Sequence, residues 1–263
     1  MFRSWSSFLS FRDGKKHEER YFHSQEVREF LDGVLATADD RVERIAKGQR
    51  YWRAQSGSAL WPLDDGAGQI VDYRCIPYRP ERMKPVPEKA GEGRINSRGI
   101  PCLYLATNEK TAISEVRPWV GSYVTVAEFE ICADLHVVDC SRCEIDPVIK
   151  TASDLDMLYK LTPPEPEEVP KIVWRWIDLA FSTPVDREDS TVDYIPTQII
   201  AELFKTNGFG GVIYRSVFNG GKNLALFDID SARQIDEGKV VQVTRLDLDF
   251  QQIHPFRSAK SRS

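Results

Sequence analysis

The chain has 263 residues, 41% of them apolar and 29% charged. That is enough to bury one full-sized core or two modest ones, which excludes disorder as the general state. Its 35 Lys and Arg stand against 40 Asp and Glu, a net charge of -5, and this argues against direct nucleic-acid binding, because a long polyanion calls for a basic face. No apolar run approaches the roughly 18 residues of a membrane helix, and Ser and Arg interrupt the opening MFRSWSSFLSFRDGKK, so a cytoplasmic protein without membrane association is expected.

The predicted elements begin with a helical segment over residues 1–65. Ser24 is a candidate N-cap for a helix that spaces Val27, Phe30, Leu31, Val34 and Leu35 along one face. Thr37 with Asp40 resembles a capping box for a second helix through Val42, Ile45 and Ala46. An amphipathic helix must bury its apolar stripe, so this segment is expected to engage a partner or complete an oligomer. From Gln49 to Gly68 the pattern dissolves and reads as a connection. A main domain over 66–250 follows, with an acidic insertion at about 144–193 and a basic tail at 251–263.

Within the main domain short β-like runs appear: QIVDYRCI, CLYLA, SYVTVAEFEI, LHVVD, GGVIY and NLALFDI. Helices are predicted from Asn108 through NEKTAISEV, along EVPKIVWRWIDLAF, and along TQIIAELFKTN up to Gly208. Strands and helices without strict alternation point to an α+β core. The five cysteines are odd in number and scattered, which disfavours a disulfide framework. Cys140 and Cys143 form a CSRC without a second pair or a nearby histidine, so no metal site is expected.

Charge is uneven. Residues 144–193 hold five basic against twelve acidic side chains, whereas 66–101 holds seven basic against four acidic. A cationic pocket within an acidic protein suits a small phosphate-bearing ligand. Three clusters carry candidate chemistry: YRCIPYRPERMKP with Arg74, Arg79 and Arg82; GEGRINSRGIPCLYLATNEKTAISEVRP with Arg94, Tyr104, Glu115 and Arg117; and GFGGVIYRSVFNGGKNLALF with Ser216. Arg79 and Arg82 read by default as solvated charges, and Asn219-Gly220 as a hairpin turn. Neither GEGR nor GGKN has the spacing of a phosphate-binding glycine loop. Glu115 borders the apolar face of its helix and needs a partner there, with Arg74, Arg94 and Arg117 on offer; a structural and a functional carboxylate are equally compatible with that position. YRSVF is not a serine-hydrolase elbow, so His136 and His254 read as ordinary strand and tail residues.

Together, Arg74 in YR, Glu115 in GRINSRGIPCLYLATNEKTAISEV, Ser216 in GGVIYRS and the ending GGKNLALF resemble the RES domain family, over about Tyr73 to Phe227. The helical opening and the acidic insertion depart from that pattern. The resemblance implies an ADP-ribosyltransferase-like fold and a cytoplasmic toxin of a toxin–antitoxin pair that consumes NAD as substrate, with no cofactor and with a helix-turn-helix antitoxin as partner. Glu115 would then steady charge on the ribose, while Arg74 and Arg94 hold the pyrophosphate. Tyr104 would pack on nicotinamide or its ribose, and Ser216 would bond the substrate or fix Glu115. Water, inorganic phosphate as co-substrate and a macromolecule all remain open as acceptor, as do a homo-oligomer and a non-catalytic binding module.

Overall fold

A computed structural model describes residues 2–17, 21–142, 159, 162–184, 190–218 and 220–247. Two helices, α1 (Ser7–His17) and α2 (Gln25–Ala38), open the chain. Ser24 caps α2 as expected, its side chain accepting from the Val27 N–H at 3.3 Å. Phe30, Leu31, Val34 and Ala38 then form one buried stripe at helical spacing. That stripe and Phe8 and Phe11 of α1 join a single core cluster with residues of α5 (Val169–Ser182) and α7 (Ile195–Thr206). Phe11 stacks on Phe30 with ring centroids 4.6 Å apart. The opening helices therefore bury their stripe within the chain itself, at about 1.5–3 kcal/mol per large apolar side chain.

The second predicted helix is a strand. A single turn at Asp39–Arg41 ends α2, and β1 (Val42–Ile45) pairs antiparallel with β7 (Leu135–Asp139). Thr37 does not cap a new helix: its hydroxyl bonds back to Gly33 O and accepts the Trp174 indole N–H at 2.9 Å. Nor is 49–68 a connection, since it holds β2 (Arg50–Ser56) and β3 (Ala59–Asp64). The division at residue 66 is thus crossed by the sheet, because β2 pairs with both β5 (Leu103–Ala106) and β6 (Tyr123–Ile131). The remaining predicted strands form as β4 (Ile70–Ile76), β5, β6, β7, β8 (Gly211–Arg215) and β9 (Lys222–Leu226), with short β10 (Ala232–Gln234) and β11 (Lys239–Gln242) after them.

Nine strands make the main sheet in the order β1-β7-β8-β9-β5-β2-β6-β10, with β11 also on β6. All pairs are antiparallel except β7 with β8. Alternation sorts its side chains onto two faces: Val212 and Tyr214 of β8 enter the core under the helices, while Ile213 between them enters a second core with Leu103, Phe129, Val137 and Leu224. Gly211 is required at the entry to β8, where a Cβ would lie 2.3 Å from Ala225 O. Outside this sheet, β3 and β4 pair only with each other. Two short helices, α3 (Pro80–Met83) and α6 (Ser190–Asp193), punctuate the loops, and α4 (Glu109–Glu115) follows β5. The fold class is α+β, opened by a small helical piece. Cys143, Asn219, His254, the basic tail and, of the acidic insertion, residues 144–158, 160–161 and 185–189 lie outside the described residues.

Candidate active site

Asn108 starts α4 by accepting from the Thr111 N–H at 2.8 Å, and Glu115 is the last residue of that short helix. The helix start lies against the β8–β9 turn: a Cβ on Gly221 would meet Thr111 Oγ1 at 2.1 Å and Asn108 Nδ2 at 2.9 Å. Glu115 Oε1 accepts two short hydrogen bonds, one from Ser216 Oγ at 2.6 Å and one from Asn223 Nδ2 at 2.6 Å. Both donors are buried and both belong to the β8–β9 hairpin, Ser216 just past β8 and Asn223 within β9. Its other oxygen, Oε2, has no hydrogen-bond partner among the described residues.

Glu115 stands on the wall of a cavity of about 700 Å³. Arg53, Arg82, Arg94, Arg117, Tyr104, Tyr214 and Asn223 also line it, with one further carboxylate, Glu92. Arg94 is held between two rings, 5.8 Å from the centroid of Tyr194 and 5.7 Å from that of Tyr214, and donates to Phe181 O. The loop carrying it is tied down from several sides. Gln198 donates to Gly93 O at 2.8 Å, Thr197 donates to Arg94 O at 2.8 Å, and Asn96 donates to Gly91 O and Ile100 O at 2.8 Å each. The Tyr104 hydroxyl donates to Asn96 Oδ1 at 2.7 Å and accepts from the Ile95 N–H at 3.1 Å. Gly93 admits this contact, since a Cβ would lie 2.6 Å from that hydroxyl. Burial pushes the Tyr104 hydroxyl well above its ordinary range, so it stays a neutral fastener of the loop while its ring faces the cavity.

Of the residues singled out from sequence, Arg94, Tyr104 and Glu115 line one cavity, and Ser216 reaches it through its bond to Glu115. Arg74 does not join them. It sits within β4 opposite Trp61, fully on the exposed part of the β3–β4 hairpin, and is absent from the cavity lining. Its place on a strand is as expected, but the two-stranded hairpin does not present it to Glu115. Arg53 of β2 occupies the wall instead. Its guanidinium donates to Met83 O at 2.5 Å and Tyr104 O at 2.8 Å, and burial, with Arg82 nearby, pulls it down to about 10. Arg82 itself lies over the Tyr78 ring at 5.0 Å, and Arg117 enters the lining from a left-handed backbone, φ 47°.

Sequence reading missed Arg53, Asn223 and Tyr214. A signal existed for Asn223, an amide inside an apolar strand that disfavours it. For Arg53 the polar letters of RYWRAQS hid an interior strand, because Arg53, Gln55 and Ser56 line a cavity there. Elsewhere His136 is an exposed strand residue and Cys140 is buried. Among the described residues no group of three His, Cys, Asp or Glu is placed to hold a metal ion, and no helix is long and apolar enough to cross a membrane.

The fold and site define an α+β protein with an arginine-lined cleft built around one clamped carboxylate. The RES domain model matches residues 72–249, over half of the chain, and the chain belongs to the RES domain family. That match begins after β2, although β2 lies in the middle of the sheet. A search of curated proteins finds no match. Among solved structures, the chain is similar to one in the crystal structure of the M. tuberculosis MbcT–MbcA toxin–antitoxin complex, with 14% identity, 81% of this chain and 93% of that chain covered, and a TM-score of 0.39.

Proposed function

We propose that this protein cleaves the nicotinamide–ribosyl bond of NAD and acts as the toxin of a toxin–antitoxin pair. The observation that carries the chemistry is Glu115, held through Oε1 by two buried donors with Oε2 left over, on the wall of a cavity that also holds four arginines. Ordinary glycosidases need a second carboxyl group to protonate the leaving oxygen. Nicotinamide leaves NAD as a neutral base from a cationic pyridinium, so a single ionised carboxylate meets the need. Oε2 of Glu115 binds the ribose hydroxyls and stabilises positive charge growing at the anomeric carbon, an effect that exists mainly in the transition state and so raises kcat. Arg94 and Arg82 offer planar, two-pronged donors to the pyrophosphate. The rings of Tyr104 and Tyr214 flank the nicotinamide riboside. Ser216 acts through Glu115.

Incubating the full chain with NAD, with and without inorganic phosphate, and following free nicotinamide tests this reading. Release is expected; none under either condition from the folded protein ends it. ADP-ribose as product means water is the acceptor, its 1''-phosphate means phosphate, and label on a macromolecule means transferase activity. The toxin assignment rests on family membership. It predicts growth arrest on cytoplasmic expression and relief by a helix-turn-helix antitoxin, and expression without any effect on growth refutes it.

A further inference from the structure

We infer that Asn223 is a positioning residue for Glu115, fixing which carboxylate oxygen faces the substrate. The fold alone does not account for it. Asparagine is depleted in strands, and β9 is an interior strand in which Asn223 stands in register with Tyr214 of β8 and Ala106 of β5. Its neighbours along the chain, Leu224, Ala225 and Leu226, are buried apolar residues. A buried amide in such a place needs a partner, and the bond that its side chain makes is to Glu115 Oε1 at 2.6 Å.

The geometry around that bond is rigid on both sides. Asn223 is fixed by two ladders, and the start of α4 abuts Gly221 so closely that no side chain fits there. Ser216 gives the second donor to the same oxygen, with its hydroxyl oxygen also accepting the Phe218 N–H at 3.1 Å. Two charge-assisted bonds on Oε1 stop the carboxylate from turning about its last torsion, which is broad and two-fold when unrestrained. Serine supplies a rotatable hydroxyl just past β8, whereas Asn223 reaches Glu115 from a backbone held by strands on both sides. Asn223 therefore anchors the carboxylate to the sheet and Ser216 closes the clamp.

The kinetic arm rests on the NAD-cleaving reading; the spectroscopic arm does not. Asn223→Ala and the equally shaped Asn223→Asp are made in the full chain, with Thr206→Ala on the exposed end of α7 as control. The δ-carboxyl ¹³C resonance of Glu115, assigned by its loss in Glu115→Gln, should move in both Asn223 variants and stay put in the control. Nicotinamide release should lose about 10²-fold in kcat, the cost of a misplaced reacting group, with KM changed by less than about threefold because ground-state binding is kept. An unmoved resonance in folded Asn223→Asp overturns the inference whatever the activity, as does an unchanged kcat in an active protein. A shifted resonance in a protein that never releases nicotinamide upholds the positioning role and sinks the NAD reading alone.

Discussion

Of the three tyrosine–arginine dipeptides in the chain, Tyr73-Arg74 and Tyr214-Arg215 have opposite fates. Tyr73-Arg74 lies in β4 of the outlying hairpin, where Tyr73 is 54% exposed and Arg74 faces Trp61 across a two-stranded pair. Tyr214-Arg215 ends β8 inside the nine-stranded sheet, where Tyr214 is 7% exposed. Arg215 donates through Nε at 3.0 Å and Nη2 at 2.8 Å to Asp178, a carboxylate of α5 with no exposed side-chain surface. A dipeptide becomes part of a site when neighbouring strands and a helix fix it on all sides. In an edge hairpin the same letters leave a long side chain free to move, and freedom costs conformational entropy when a ligand must be held.

The sharpest way to break this contrast is at the carboxylate that the β8–β9 hairpin clamps. Glu115→Gln keeps shape and removes charge; nicotinamide release should fall by about 10³-fold or more, as for removal of a strong transition-state stabiliser, with the melting temperature nearly unchanged. A large loss of stability instead would make Glu115 a structural carboxylate. Next in size is Asp178→Ala, which takes the buried carboxylate away from Arg215. Breaking a buried pair costs about 3–5 kcal/mol, and since Arg215 is 31% exposed the lower end, about 3 kcal/mol, is expected in denaturant unfolding. Asp178 itself is pushed upward by burial against the pull of Arg215. An unfolding free energy that does not change would show that β8 needs no anchor from α5.

Gly221→Ala probes the contact between hairpin and α4. Its Cβ would sit 2.1 Å from Thr111 Oγ1, so α4 must shift and carry Glu115 with it; release should drop by about tenfold, less than for Glu115→Gln, because the carboxylate is displaced and not lost. Full activity would show that α4 tolerates the shift.

How much of this was legible follows from where each signal lives. The β8, β9 and α4 pieces were readable because apolar alternation, an N-cap at Asn108 and a turn at Gly220 are local. That β2 is interior was not, because its polar letters, Arg53 and Gln55, answer to a cavity that only the assembled sheet creates. The helix expected after Thr37 failed for a similar reason: the hydroxyl's partner is Trp174, 137 residues away. Arg74 enters the candidate site through the family resemblance, and no local signal says which sheet its strand joins.

Buried tyrosines give the main sheet a pH signature that the outlying hairpin lacks. Burial pushes Tyr51 from 10.0 to about 12, and Tyr104 and Tyr214 also upward. The native state keeps protons that the unfolded chain releases, so this stability is complete below pH 10 and is lost as pH rises towards about 12. Burial pulls Arg53 in the other direction, but it is one group against three. Denaturant midpoints should therefore decline above pH 10, and Tyr51→Phe should flatten that decline; an equal slope in the variant would rule out Tyr51 as a source.

The smallest effect is the most telling for the contrast between the two dipeptides. Arg74→Ala removes a guanidinium from a strand whose residues Ile70 to Arg74 are all exposed, with no core contact to lose, so stability should stay within about 0.5 kcal/mol. Its effect on KM for NAD should be under about threefold, whereas Arg94→Lys, which keeps charge but loses the planar fork between Tyr194 and Tyr214, should raise KM by about tenfold. The pair of variants separates two physical causes. If only net cationic charge draws the pyrophosphate, Arg74→Ala weakens binding while Arg94→Lys, which keeps its charge, does not, and the effect shrinks in salt. If fixed geometry in the cavity holds it, Arg94→Lys alone is impaired and salt leaves the ratio between the variants unchanged. An Arg74→Ala defect as large as that of Arg94→Lys would mean that the outlying hairpin closes over the ligand and that exposure in the free protein misjudges its role.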